Sequence, residues 1–411
     1  MTDNIQERIA ELRGRLLSFR ADRFPVEHAV AQFHLGTTLI EAGNPEGAIP
    51  MLRSAADLFE RQGMAVEQAK AKNMLGAALR TAGRFGEAAD AFALAGELFE
   101  ANDQPLERGA ALFNLGLVRR DLGDLEAAAE CFQRAGGLFD DGGRSAQASA
   151  AARELGTTQF AADRLDEARQ ALERAIELAQ RAADHAGLGA TANALGIVEL
   201  ASGRTEAAVS AFLSALGANP RTLRAEGYSM AKANLALAYE QGNDAPRARL
   251  AARQALATPT APTPVRDQAS GVLSRLGDDG TGDLLVVLDE EPQARWSVLM
   301  REELIRWVEL DAAERKAESR AWVEGVLARP DVSVELTQAW LEVLLELPPE
   351  SMEKLIRSTI EALRTFDAEP VELIRDQVSR AMARFFIPQW DRLRETFNRL
   401  AQELGEEPAW G

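Results

Sequence analysis

The chain has 411 residues, a formal net charge of −18, 46% hydrophobic residues and 27% charged ones. That balance is globular and excludes a mainly disordered chain. No apolar run reaches the ~18 to 20 residues that span a bilayer, and the acidic surplus speaks against non-specific binding to nucleic acid or anionic membrane. The polar start MTDNIQERIAEL lacks the apolar core of a signal peptide, so a cytoplasmic location is expected. The one cysteine, Cys131, excludes an internal disulfide framework, and His28, His34 and His185 stand at no metal-ligand spacing. No metal or cofactor is expected.

Along the chain, residues 3–21 form the first helical pattern, with Leu12, Phe19 and Val26 placed forty residues before Leu52, Phe59 and Val66. This spacing is general. Leu-Gly falls at Leu35-Gly36, Leu75-Gly76, Leu115-Gly116, Leu155-Gly156 and Leu195-Gly196, then as Leu235-Ala236, always forty residues apart. Two alanine columns keep the same register: Ala48, Ala88, Ala128, Ala168, Ala208 and Ala248, and Ala55, Ala95, Ala135, Ala175, Ala215 and Ala255. Each unit reads as two helices and a turn, as in Ala69–Ala82, Gly83–Phe85 and Gly86–Phe99. Gly43, Gly83, Gly123 and Gly203, with Asp163 and Asn243, supply a left-handed turn position. Phe92, Ala95 and Phe99 recur at helical spacing as one buried stripe, and the small columns mark close helix crossings.

Leu75-Gly76, Ala88, Phe92 and Ala95 resemble the tetratricopeptide repeat (TPR) pattern. The resemblance covers residues 1–277. Departures are the missing early tryptophan, a tyrosine position held by Leu39, Leu79, Arg119, Gln159, Glu199 and Tyr239, and a period of forty instead of the usual ~34 residues. The long unit is similar to that of kinesin light chains and related scaffold adaptors; HEAT repeats share the length but not the Leu-Gly and alanine ladder. The resemblance implies an all-α fold: a right-handed α-solenoid of about six helix hairpins. A leading half-repeat and a trailing helix at Val265–Leu276 would cap it.

Thr258–Pro264 breaks the pattern, and the composition changes after Gly277. Residues 1–277 carry 30 basic and 35 acidic residues, net −5, whereas 278–411 carry 16 and 29, net −13, with all six tryptophans. Residues 278–292 are expected to be a linker containing a short strand or extended docking segment at Leu284–Leu288. Residues 293–411 are expected to be a separate acidic α-helical bundle. Its predicted helices are Trp296–Val308, Ala312–Leu327, Val334–Leu347, Ser351–Phe366, Val371–Phe386 and Trp390–Leu404, interrupted by prolines.

Little in the sequence suggests catalysis, and no enzyme is expected. Cys131 has no histidine partner nearby in the pattern. Gly136-Gly137 and Gly142-Gly143 lack the Lys-Ser or Lys-Thr of a phosphate loop and read as turns. Asp289-Glu290-Glu291 and Glu302-Glu303 lack calcium-loop spacing and read as solvated surface.

The TPR resemblance implies a concave groove lined by the first helix of each unit. Its exposed positions would be Lys70, Asn73, Ala77 and Arg80, then Ala110, Phe113, Leu117 and Arg120, then Arg153, Thr157 and Phe160, then Asn193, Ile197 and Leu200. Lys70, Arg80, Arg120 and Arg153 would make it locally basic, Asn73 and Asn193 could hold a peptide backbone, and Phe113, Leu117 and Phe160 could grip apolar side chains. The expected role is a scaffold or adaptor for a protein or peptide with an acidic or carboxylate-ended segment. The acidic C-terminal region could serve as a second docking surface, or occupy the groove intramolecularly. An alternative is a peptide-sensing receptor that changes curvature on binding; an enzyme with its site in the C-terminal region is a third reading.

Overall fold

The structure is a computed structural model that describes residues 2–277 and 282–410. Among these residues there are 21 α-helices, one 3-10 turn and no strand. Contacts divide the chain into two compact units, Met1–Arg204 and Thr205–Gly411. This division falls inside the repeat pattern, whereas the change of composition falls at 277.

The first unit holds α1 (Thr2–Ser18), α2 (Pro25–Glu41), α3 (Pro45–Arg61), α4 (Ala65–Thr81), α5 (Phe85–Ala101), α6 (Pro105–Asp121), α7 (Leu125–Asp141), α8 (Ser145–Ala161), α9 (Leu165–Arg181) and α10 (His185–Ala201). From α2 onward each helix starts twenty residues after the last, so the repeat is two equal helices and two like turns. The sequence marks the turn within each repeat. The structure puts the same geometry between repeats: positive φ occurs at Gly43, Gly63, Gly83, Asp103, Gly123, Gly143, Asp163, Ala183 and Gly203. At Gly83 the backbone N–H donates to the Arg80 carbonyl at 3.0 Å and that of Arg84 to the Leu79 carbonyl at 2.8 Å. These bonds satisfy the carbonyls left open at a helix end. The first helix of the repeat therefore begins four residues earlier than periodicity predicts, at Ala65, and the second one residue earlier, at Phe85, because the residue after the left-handed one is already the N-cap.

The two alanine columns are fully buried: Ala48, Ala88, Ala128 and Ala168, with Ala55, Ala95, Ala135 and Ala175, are all 0% exposed. The Leu-Gly glycines sit where the second helix of the same repeat presses in. A Cβ on Gly76 would lie 2.8 Å from the Phe92 ring, and one on Gly36 2.5 Å from Leu52. Gly136 and Gly137, expected in a turn, lie inside α7; Gly143 makes the turn. The helical phase set by Phe132, Ala135 and Phe139 runs through them.

The second unit begins with α11 (Thr205–Ala218), α12 (Ala225–Gln241), α13 (Ala245–Leu256) and the predicted trailing helix, α14 (Thr263–Leu276). Leu284–Leu288, expected to be a short strand or extended docking segment, instead lies within a helix, α15 (Asp283–Glu290). It is helical because Leu284, Leu285, Val287 and Leu288 are all buried, leaving Val286 outside. Leu285 fills the space that Gly325 leaves open, and Asp283 receives Arg249 and Arg253. Residues 278–281 of the expected linker lie outside the described residues.

After the turn at Gln293–Arg295 come α16 (Trp296–Glu309), α17 (Ala312–Leu327), α18 (Ser333–Glu346), α19 (Pro349–Leu363), α20 (Ala368–Met382) and α21 (Ile387–Glu403). These are the six predicted helices, with boundaries shifted by at most four residues. Each packs chiefly on the helix two further along, giving one row of α16, α18 and α20 and another of α17, α19 and α21. One core joins them. It runs from Leu250 of α13 through Trp307 and Trp340 to Phe397 and Trp410. In this unit, then, the last repeat helices and the C-terminal helices pack together.

Candidate functional site

In the first unit, α2 touches α4, α4 touches α6 and α8 touches α10. Arg120 of α6 also reaches Glu154 of α8, so the first helices α2 to α10 are linked in series, and all nine candidate binding residues belong to them. Lys70 is exposed; Asn73, Arg80, Phe113, Leu117, Arg120, Arg153 and Phe160 are half-buried; Asn193 is buried.

The structure connects several of these residues in ways that the sequence reading lacks. Arg80 on α4 donates to Asp121 on α6 at 2.7 Å. Arg120 on α6 donates to Glu154 on α8 at 2.6 Å, and Arg153 reaches the other oxygen of Glu154 at 3.3 Å. The three guanidinium groups are thus held by two carboxylates, each of which follows a candidate arginine directly in sequence. Counting cations alone overstates the positive charge; including Asp121 and Glu154 would have corrected it. These are partly exposed pairs, so they orient the side chains more than they stabilise the array.

Asn114 donates to Asn73 at 3.4 Å, linking α6 to α4. The Phe113 ring packs edge-on against Phe132 at 5.5 Å, and the Arg120 guanidinium lies 5.9 Å from the same ring centre. Phe160 rests on the core around Leu172 and Val198. Phe113 and Phe160 are therefore half-buried residues of the first helices that also pack against the core. Asn114, missed from sequence, could have been found by following the i+41 relation to Asn73.

Elsewhere in this unit Cys131 is buried, and burial pushes its thiol pKa up, which leaves it a poor nucleophile at neutral pH. Among the described residues no cluster of three or more His, Cys, Asp or Glu could hold a metal ion, and no helix is long and apolar enough to cross a membrane.

Repeat hairpins of this geometry, with a small residue at each crossing and a left-handed turn between helices, define a TPR-type α-solenoid. Sequence models of the tetratricopeptide repeat match residues 33–103, 109–136, 147–220 and 193–262. The chain belongs to the tetratricopeptide repeat family. The apo form of RapI shares the fold, with a TM-score of 0.55 over 88% of this chain and 97% of that one at 10% identity. BtubC (BKLC) from P. vanneervenii gives a TM-score of 0.46 at 20% identity, covering 52% of this chain and 90% of its own. The nearly identical TPR-like repeats of a Podosopora anserina kinesin-light-chain candidate give 0.42 at 17% identity, covering 47% and 96%. No curated protein matches the chain significantly.

Proposed function

We propose that the chain is a non-catalytic scaffold or adaptor, in which the first-helix surface of the array holds an extended segment of a partner protein. The observation that carries this reading is the alignment of Arg80, Arg120 and Arg153, each fixed by a carboxylate, beside the half-buried Phe113, Leu117 and Phe160. Arginines already held in place lose little side-chain freedom when a ligand arrives. A carboxylate on the partner would share the outer N–H groups of the guanidinium forks. The partner class is an acidic peptide segment or one ending in a free carboxylate. Residues 1–277 supply the groove in this reading, and residues 293–411 supply a second docking or regulatory surface.

The test probes an array of acidic, carboxylate-ended peptides with the full chain. The triple substitution Arg80→Glu, Arg120→Glu and Arg153→Glu should lower affinity at least about tenfold, the loss of more than one charge-assisted contact. Asp121→Asn with Glu154→Gln removes two negative charges that compete with the ligand carboxylate and should raise it, the charge gained outweighing the side-chain freedom regained. Equal capture by the parent and both variants, with helicity unchanged, disposes of the groove.

A further inference from the structure

The second unit contains a cleft that the groove reading leaves unused. It lies between the second helices α11 and α13, is floored by α12 and roofed by α15 and α16, and has a volume of about 410 Å³. Eighty residues earlier in the repeat register, the groove between α7 and α9 over α8 holds about 230 Å³. That earlier groove has Gln133 and Gly136 where the cleft has Leu213 and Leu216.

The walls of the cleft are mainly apolar: Leu213, Leu216, Leu235, Val287, Val298 and Leu299 all line it. Leu213 and Val298 stay 40% and 53% exposed at its mouth. Water in contact with such walls is unfavourable, and an apolar ligand would displace it.

The charged groups in the lining are all matched within the protein. Lys232 pairs with Glu302. Arg247 is held by Asp244 at 2.7 Å, Glu290 at 2.6 Å and Glu291 at 2.9 Å. Arg295 takes the second oxygen of Glu291 at 2.9 Å. Glu303 receives Gln254 at 2.7 Å and Arg306 at 2.9 Å. A charged ligand would find no free counter-charge and would lose its hydration on entry. One polar group is left over: the Tyr239 hydroxyl lines the cleft with no hydrogen-bond partner among the described residues. Burial raises its pKa, so it is present as a neutral phenol.

We propose that this cleft binds a neutral, mainly apolar small molecule whose single hydrogen-bonding group meets the Tyr239 hydroxyl. The volume suits a compact ligand, and the roof helices cover it from the C-terminal side.

The test titrates the full chain with the neutral fluorophore N-phenyl-1-naphthylamine. Saturable binding of one probe per chain is expected. Val298→Trp and Leu213→Trp, which fill the mouth at partly exposed positions, should each weaken it at least about tenfold, the loss of most of an apolar contact surface. Tyr239→Phe should weaken it about fivefold, the usual effect of one lost hydrogen bond. The anionic 1-anilinonaphthalene-8-sulfonate should bind more weakly than the neutral probe. Non-saturable binding, or affinity unchanged in both tryptophan variants with melting intact, overturns the site; equal affinity for the two probes overturns its preference for neutral ligands.

Discussion

Arg80 and Asp121 stand 41 residues apart in sequence, yet the guanidinium Nε donates to the carboxylate at 2.7 Å, tying the first helix of one repeat to that of the next. Their side chains are 37% and 27% exposed, so solvent screens the pair. A double-mutant cycle with Arg80→Ala and Asp121→Ala should give a coupling of about 0.5 kcal/mol that shrinks in high salt. Urea unfolding at two salt concentrations measures it. A salt-independent coupling above about 2 kcal/mol would mean that the pair is desolvated and is a structural lock.

The turns offer a test with opposite signs. Gly83 has φ 76°, where a Cβ is strained, and Ala183 adopts φ 51° despite having one. Gly83→Ala should lower stability by about 1 kcal/mol. Ala183→Gly should raise it by about 0.5 kcal/mol, the relief of strain less the extra freedom of the unfolded chain. Shifts of the same sign in the two urea midpoints would contradict the geometry.

Helix propensity and packing compete at Gly76. Alanine favours a helix by about 1 kcal/mol over glycine, but its Cβ would lie 2.8 Å from Phe92. Overpacking of this kind costs about 1–3 kcal/mol, so Gly76→Ala should be net destabilising, and its cost should shrink in a Phe92→Ala background. The sixth repeat makes the same exchange in its own sequence: it has Ala236 in the glycine column and Ala252 opposite. A stabilising Gly76→Ala would show that the crossing is loose.

Glu303 is 1% exposed and joins Gln254 of α13 to Arg306 of α16, which also reaches Glu318 of α17 at 2.5 Å. Burial opposes the Arg306 charge, but Glu303 and Glu318 outweigh it and hold its pKa above the ordinary arginine value. Glu303→Ala strips Arg306 of one buried partner and should cost about 3–5 kcal/mol. Glu309→Ala, on the exposed pair with Arg221, should cost under about 1 kcal/mol. Similar losses for both in denaturant unfolding would contradict the burial argument.

Acid should weaken the C-terminal helices through a recognisable group. Arg357 and then Arg399 hold the Glu403 carboxyl below its usual 4.5, and Arg384 does the same for Glu335. A depressed folded-state pKa contributes stability above the unfolded value and loses it as pH falls through the folded one. The chain should lose stability as the pH falls below about 4.5, and Glu335→Gln with Glu403→Gln should flatten that slope. Melting curves from neutral to acidic pH test it; an unchanged slope rejects the assignment.

By itself, the sequence determined the array. The forty-residue stride, the alanine columns and the Leu-Gly crossings are local and periodic, and each repeat states them again, so the hairpin and its buried stripe can be read without coordinates. The six C-terminal helices were also legible from apolar spacing and proline breaks. Tertiary structure decided the rest. Leu284–Leu288 reads as a strand or extended segment in isolation and becomes part of a helix because α13 and Gly325 offer a socket for its apolar side chains. The pairing of Arg80, Arg120 and Arg153 depends on where neighbouring repeats place Asp121 and Glu154, and long side chains with several rotamers choose partners only once those helix spacings are set. The cleft over α12 has the same origin: its walls come from five separate helices, and only their packing brings them around one space.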